Sequence, residues 1–128
     1  MLCTSTMTTA KELGATSLQL TKDRDRAGWL ALFAPDAFVE DPVGGKRHHG
    51  IEAITEFYDS TISTVESFDY EIERCYLGGA EAAFVIRFDI VAAGIRLDMD
   101  VVNVYAADGD RLRSLRSFWD GTRQGRSA

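Results

Sequence analysis

One aspartate stands in a stretch of sequence with few polar neighbours. Asp41 ends a predicted strand whose same-face residues, Ala37 and Val39, are apolar, and Pro42 and Val43 follow it. A carboxylate in an apolar pocket has a raised pKa and becomes a usable base near neutral pH. Aspartate also commonly opens a turn before proline, so the pattern leaves that structural role open. The chemical interpretation of Asp41 is a general base.

One amide is predicted to face the interior. Asn103 shares a face of its predicted strand with Leu97, Met99, Val101 and Tyr105, because alternate strand residues point the same way. A buried amide is costly unless it is hydrogen-bonded. Asn103 therefore either donates to a ligand oxygen or bonds a neighbouring backbone group or tyrosine, and the sequence leaves both open.

Two hydroxyl groups could assist such chemistry. Ser17 lies on the inner stripe of the predicted first helix, and Tyr58 on the inner face of the third. Each could donate a hydrogen bond, although helical serines often bond back to their own helix and many half-buried tyrosines only fill the core. The apolar lining predicted for a ligand cavity consists of Phe33, Phe84, Phe88, Met99, Val101 and Trp119. Side chains of these types also form ordinary core.

A histidine pair invites a metal interpretation that the spacing does not support. His48 and His49 lie near Glu40 and Asp41, but no third ligand stands at a convincing distance along the chain. Adjacent side chains on a loop diverge, whereas a metal needs three or four convergent ligands. No metal site is therefore predicted.

The composition limits the class of protein. The chain has 128 residues and a formal net charge of −6. This length fits one domain, predicted over 9–121, between tails at 1–8 and 122–128. The acidic balance disfavours a nucleic-acid partner. No apolar run approaches the roughly 20 residues that span a bilayer. The N-terminus is polar and threonine-rich, unlike a signal peptide, so no membrane partner and a cytoplasmic location are expected.

The elements that must position these residues follow from periodicity. Helical spacing predicts helices over 11–22, 26–33 and 50–62. A short strand over 37–41 follows a break at 34–36, and a loop is expected over 43–49. Alternating runs predict strands over 67–76, 82–91, 95–105 and 112–120, joined by hairpins. This order predicts an α+β fold, a cone-shaped curved antiparallel sheet with three N-terminal helices on its concave face. Such a cone can hold a small molecule.

Two stretches around these positions resemble the ketosteroid isomerases. They are residues 29–44, WLALFAPDAFVEDPVG, and residues 50–58, GIEAITEFY, and the likeness extends over about residues 11 to 121. The VEDPVG block is fairly specific for this branch of the superfamily. That superfamily of cone-shaped folds includes nuclear transport factor 2 and SnoaL-like domains, so the resemblance implies the same fold here.

The resemblance also implies an activity and roles for particular residues. Asp41 takes the position of the base that moves a proton from C4 to C6 of a β,γ-unsaturated 3-oxosteroid through a dienolate. Asn103 stands where the family has a protonated aspartic acid as oxyanion donor. Ser17 falls near the position of the family's helix tyrosine, and Tyr58 matches a supporting tyrosine. A small hydrophobic ketone substrate, no metal or organic cofactor, and a homodimer through the outer sheet face are implied as well.

Two other classes of function stay open. The first is a protein that binds a steroid or polyketide without catalysis. The second is another enzyme of the same fold, such as a polyketide cyclase, dehydratase or epoxide hydrolase. An epoxide hydrolase needs an Asp-Arg-Asp group, for which Arg87 and Arg116 are the nearest options, and the full triplet is not evident. A dehydratase needs an inward histidine, whereas both histidines here lie in the predicted loop.

Overall fold

Three α-helices precede most of the sheet in the computed structural model, which describes residues 9–119. Helix α1, Ala10–Asp23, begins with a reciprocal cap in which Thr9 and Glu12 bond each other's backbone N–H groups. Helix α2, Arg26–Leu30, is capped by the Asp25 side chain and is shorter than predicted. Helix α3, Ile51–Ser60, precedes a single 3-10 turn, Ile62–Thr64. The predicted tails fall outside the described residues.

Six strands form one sheet. They are β1 (Phe33–Glu40), β2 (Arg47–His49), β3 (Ser67–Gly78), β4 (Glu81–Ala92), β5 (Ile95–Asp108) and β6 (Arg111–Phe118). Their order across the sheet is β2-β1-β6-β5-β4-β3. The predicted fold class, three helices and a curved sheet, is confirmed, and the long strands β3 to β6 pair antiparallel as expected. One pair differs, because β1 runs parallel to β6.

Two local predictions differ from the structure around β1. The break expected at 34–36 is an irregularity inside the strand, where pairing with β6 shifts between Phe33 and Phe38. Pro35 is tolerated there because a shifted register needs no ladder hydrogen bond from that position. The loop expected over 43–49 contains strand β2, in which His48 pairs with Val39. Neither change moves Asp41, which directly follows β1.

The sheet bends, and the helices pack against it. Pairing is interrupted between Ile72 and Arg74 on β3 and between Ala106 and Ala107 on β5. Such irregularities bend a strand and increase its twist. Helix α1 contacts β3, β4 and β5, whereas α3 contacts β1 and β2. Because the sheet bends, it leaves space between itself and α1, and a ligand can occupy that space.

Aromatic rings fill the core beneath helices α2 and α3. Trp29 is 2% exposed and its ring centroid lies 4.7 Å from that of Phe33 and 5.2 Å from that of Tyr58. A second pair, Phe84 and Tyr105, meets edge-on with centroids 5.2 Å apart. These contacts hold the second and third helices to β1 and the long strands to each other.

Helix α1 approaches the sheet closely at one glycine. A Cβ atom added to Gly14 would lie 2.6 Å from Cδ2 of Tyr105, closer than carbon atoms in proteins pack. The Tyr105 ring is 0% exposed and cannot move aside cheaply. Gly14 therefore permits the contact between α1 and β5, despite the usual cost of glycine in a helix.

We expect Gly14→Ala to lower the free energy of unfolding by about 1–2 kcal/mol, measured by urea denaturation. Overpacking a core costs about 1–3 kcal/mol, which exceeds the helix propensity of up to about 1 kcal/mol that alanine adds. Gly78→Ala is the matched control, because a Cβ there meets nothing within 4 Å. Equal stability of the two variants would show that the helix and sheet are not in tight contact.

Candidate functional site

A cavity of about 470 Å³ lies between α1, the 3-10 turn and the sheet. Its wall is mostly apolar side chains from β3, β4 and β5, with a few polar groups from the end of α1 and the turn. The lining residues are Thr21, Arg24, Asp41, Thr61, Ile62, Thr64, Val65, Phe68, Phe88, Ile90, Ala92, Leu97, Asp98, Met99 and Trp119. This composition suits a ligand with a hydrophobic body.

Asp41 reaches this cavity together with the indole of Trp119. Asp41 follows β1 and Trp119 follows β6, and these parallel neighbours end at the same edge of the sheet. The Trp119 Nε1–H donates to Asp41 Oδ1 over 2.5 Å. A backbone hydrogen bond joins the same two segments, because Val43 N–H donates to the carbonyl oxygen of Ser117 over 2.8 Å. The pairing of β1 with β6 therefore positions the carboxylate.

Two adjacent carboxyl groups at the end of β1 have opposite electrostatic environments. Burial raises the pKa of Asp41 above its ordinary value, and the Trp119 bond opposes this in part. The Arg116 guanidinium, 3.2 Å from Glu40, lowers the pKa of that carboxyl. Arg47 adds a second cation 3.5 Å from Glu40. Asp41 is therefore the carboxyl whose environment favours proton uptake, as a general base requires.

Asn103 belongs to a buried chain of polar groups. Ser117 Oγ donates to Asn103 Oδ1 over 2.7 Å, and Asn103 Nδ2 donates to the Tyr105 hydroxyl over 2.9 Å. Ser17 Oγ lies 3.0 Å from the Tyr105 hydroxyl and 2.7 Å from the Gly14 carbonyl oxygen. The predicted bond between Asn103 and a tyrosine is therefore present. All four side chains of this polar chain are buried, with exposed fractions of 0–5%.

The structure places the predicted site residues in three groups. Asp41, Phe88, Met99 and Trp119 line the cavity. The residues Ser17, Phe84, Val101 and Asn103 are buried among α1, β4, β5 and β6, and none of them is among the residues lining the cavity. Phe33 and Tyr58 pack with Trp29 in the core under α2 and α3. The roles assigned to all of these residues stay predictions.

Tyr105 and the side chains around the 3-10 turn were not among the predicted site residues. Tyr105 lies on the same face of β5 as Asn103, two residues later. The alternation of strand residues could therefore have predicted its place beside Asn103. Ile62, Val65 and Phe68 lie where the chain passes from α3 to β3. Their place in the cavity depends on the bend of the sheet, which periodicity does not reveal.

The histidines lie apart from the cavity. The His48 ring packs on Phe57 with centroids 4.9 Å apart, and His49 Nε2 is 3.0 Å from the backbone oxygen of Asp36. Within residues 9–119, no three His, Cys, Asp or Glu side chains converge to hold a metal ion. No helix in that range has the length and apolar character that crossing a bilayer requires.

The amino-acid sequence matches the SnoaL-like domain family over residues 16–115. A steroid delta-isomerase of Nocardioides simplex is 36% identical over 94 residues, which are 73% of this chain and 75% of that protein.

Solved structures share the fold. The Delta 5-3-ketosteroid isomerase from a Mycobacterium species superposes with a TM-score of 0.78 at 25% identity, covering 87% of this chain and 92% of that one. A Mycobacterium tuberculosis protein in complex with estradiol-17beta-hemisuccinate gives a TM-score of 0.78 at 24% identity, covering 87% and 93%. The second similarity concerns the fold alone.

We expect Asp41→Asn to raise the free energy of unfolding at pH 7, measured by urea denaturation. The folded-state pKa of Asp41 is raised from 3.8, so its contribution to stability is present at low pH. That contribution is lost as the pH rises from the unfolded to the folded pKa. The advantage of the variant should therefore shrink as the pH falls toward 4. Asp36→Asn, at an exposed position of β1, is the control. An advantage independent of pH would contradict the desolvation of Asp41.

Proposed function

This chain belongs to the SnoaL-like domain family, and on that premise we propose that it is an isomerase of hydrophobic ketones. It moves a double bond from the β,γ to the α,β position of a 3-oxosteroid or a similar ketone. The observation that carries the proposal is the desolvated carboxylate of Asp41 in the wall of a mostly apolar cavity. The 36% identity to a steroid delta-isomerase supports the reaction class.

Asp41 acts as the base in this proposal. Its carboxylate takes a proton from C4, the electron pair of the broken C–H bond enters the conjugated system, and a dienolate forms. The same carboxyl returns the proton to C6, where a C–H bond forms as the double bond reaches the α,β position. A raised pKa helps both steps, because the carboxyl must accept and then release one proton. The Trp119 N–H keeps the carboxylate oriented during the transfer.

Asn103 acts as the hydrogen-bond donor to the dienolate oxygen in this proposal. Its amide oxygen accepts from Ser117, which sets the NH2 group toward the interior between α1 and β5. One of the two Nδ2 hydrogens bonds Tyr105, and the other is assigned to the ligand. Ser17 and Tyr58 stay as proposed auxiliary donors. Charge that develops on a ligand oxygen is best stabilised by such preorganised donors in a dry site.

The apolar wall holds the body of the ligand. Phe88 of β4 and Met99 of β5 are paired neighbours on the sheet, and Trp119 lines the cavity with them. Phe33, Phe84 and Val101 are proposed to extend the apolar contact. The reaction needs no metal or organic cofactor, because the carbonyl of the substrate itself takes the negative charge.

A binding protein without catalysis is the alternative that a specific observation favours. A protein of this fold has been solved with estradiol-17beta-hemisuccinate bound, and the cavity here is lined mostly by apolar side chains. The two functions differ in product formation, which the activity test below measures. A cyclase or another enzyme of the fold would instead leave the steroid double bond in place.

A homodimer through the outer sheet face and a cytoplasmic location belong to the same proposal. A shallow depression on the sheet is lined by Val85 of β4, Val102 of β5 and Phe118 of β6, together with Asp100. The Arg96–Asp89 ion pair, 2.6 Å long, lies on that face between β4 and β5. Sedimentation velocity should report twice the 14.1 kDa chain mass, and a monomer at micromolar concentration would exclude this assembly.

We expect Asp41→Asn to reduce the turnover of 5-androstene-3,17-dione by at least 10³-fold, because the amide cannot accept the proton from C4. The measurement is the rise in ultraviolet absorbance as the conjugated enone forms. Steroid affinity should stay within about threefold of the native value, since the amide keeps the shape of the carboxyl. Asp36→Asn is the matched control and should retain full turnover. Normal turnover by Asp41→Asn would show that the mechanism is wrong.

A further inference from the structure

The hydrogen bonds of the buried polar chain run in one direction. The hydroxyl of Ser117 donates to the Asn103 amide oxygen, and the amide nitrogen donates in turn to the Tyr105 hydroxyl. Each accepted hydrogen bond makes the next donor stronger, because the groups polarise one another. The last group in this series of donors and acceptors is the Tyr105 hydroxyl. A phenol is also a stronger acid than an amide, so the strongest donor of the chain is Tyr105.

This polar chain lies beyond the inner end of the cavity. Thr21 lines the cavity, and Ser17 is four residues earlier on the same face of α1, about 6 Å along the helix axis. On β5, Met99 lines the cavity, and Asn103 and Tyr105 follow it on the same face. A rod-shaped ligand that enters with its carbonyl first therefore points that oxygen toward the polar chain.

We propose that the Tyr105 phenol donates a hydrogen bond to the ketone oxygen of the ligand and stabilises the charge that forms there. In this arrangement Asn103 and Ser117 support the phenol as well as the ligand. The inference rests on the proposed function of the same cavity. It makes Tyr105, rather than Asn103, the leading donor to the oxyanion. Since Tyr105 is 0% exposed in the free protein, binding must separate the side chains between the cavity and the phenol.

The surroundings of Tyr105 keep its proton available for donation. Burial raises the pKa of Tyr105 to about 12, so the phenol is neutral at physiological pH. The negative charge of Asp41 raises the pKa of Tyr105 as well.

The Tyr105 hydroxyl oxygen accepts hydrogen bonds from two sides. The Ser17 hydroxyl donates to it over 3.0 Å and also lies 2.7 Å from the Gly14 carbonyl oxygen. The Asn103 amide donates to the same phenol oxygen over 2.9 Å. Accepted hydrogen bonds strengthen the phenol O–H as a donor. A ketone oxygen with developing negative charge is a strong acceptor for that proton.

The test uses the full chain with 4-androstene-3,17-dione, a conjugated ketone that is not converted further. Its enone absorbance moves to longer wavelength when the carbonyl oxygen accepts a strong hydrogen bond. We expect this red shift in the native protein and in Tyr76→Phe, whose phenol is 57% exposed on β3. We expect Tyr105→Phe to lose the shift and to lower kcat for 5-androstene-3,17-dione by about 10²–10³-fold, with little change in KM.

The outcomes separate this inference from the proposed function. A red shift that Tyr105→Phe abolishes, in a protein without isomerase turnover, supports the phenol as donor and refutes the isomerase. Turnover that depends on Asp41 but not on Tyr105 supports the isomerase and refutes the phenol. A native protein that causes no red shift refutes the phenol as well.

Circular dichroism shows whether Tyr105→Phe folds. If it does not fold, a second measurement tests the proposal. The four tyrosines of the chain are then replaced by 3-fluorotyrosine, which keeps the hydroxyl and lowers its pKa. A phenol that donates to the ligand becomes a stronger donor, so the red shift should increase. An unchanged red shift would overturn the proposal.

Discussion

The parallel pairing of β1 with β6 is the constraint on which the site depends. Two parallel neighbours end at the same edge of a sheet, so the residues that follow them, Asp41 and Trp119, are brought together from opposite ends of the sequence. The indole N–H then holds a carboxylate that burial would otherwise leave poorly stabilised. Ion pairs between Glu40 and its two arginines strengthen the same edge. A local hairpin could not give this geometry, because it places strand ends that are close in sequence together.

The polar chain under the cavity is the costly part of this fold. Buried hydroxyl and amide groups lose their hydration, and only complete hydrogen bonding offsets that loss. The Asn103 amide accepts from Ser117 and donates to Tyr105, which lie on two strands of the sheet. Ser17 links the same group to α1. Such a network specifies one arrangement of helix and sheet, because a shift of either element would leave several polar groups without partners.

Much of the fold follows from the order of periodic segments, and the exceptions have physical causes. The long strands alternate clearly, and all three helices have recognisable apolar faces, so their existence was predictable. The parallel partner of β1 was not, since pairing across 70 or more residues leaves no local signal. Asp41 was predicted from its apolar neighbours and Asn103 from its inward strand face, and the resemblance to a known family then implied their roles. Tyr105 was treated only as a neighbour of Asn103. Its importance depends on the approach of α1 at Gly14, which sequence spacing does not encode.

The contact between Gly14 and the Tyr105 ring also has a consequence for ligand selection. Interdigitated side chains can adjust when a helix moves, but a backbone pressed on a rigid ring cannot. The distance between α1 and β5 is therefore fixed where Gly14 meets Tyr105. Any ligand must fit the space that the fixed helix leaves, because it cannot push α1 away from β5 at this point.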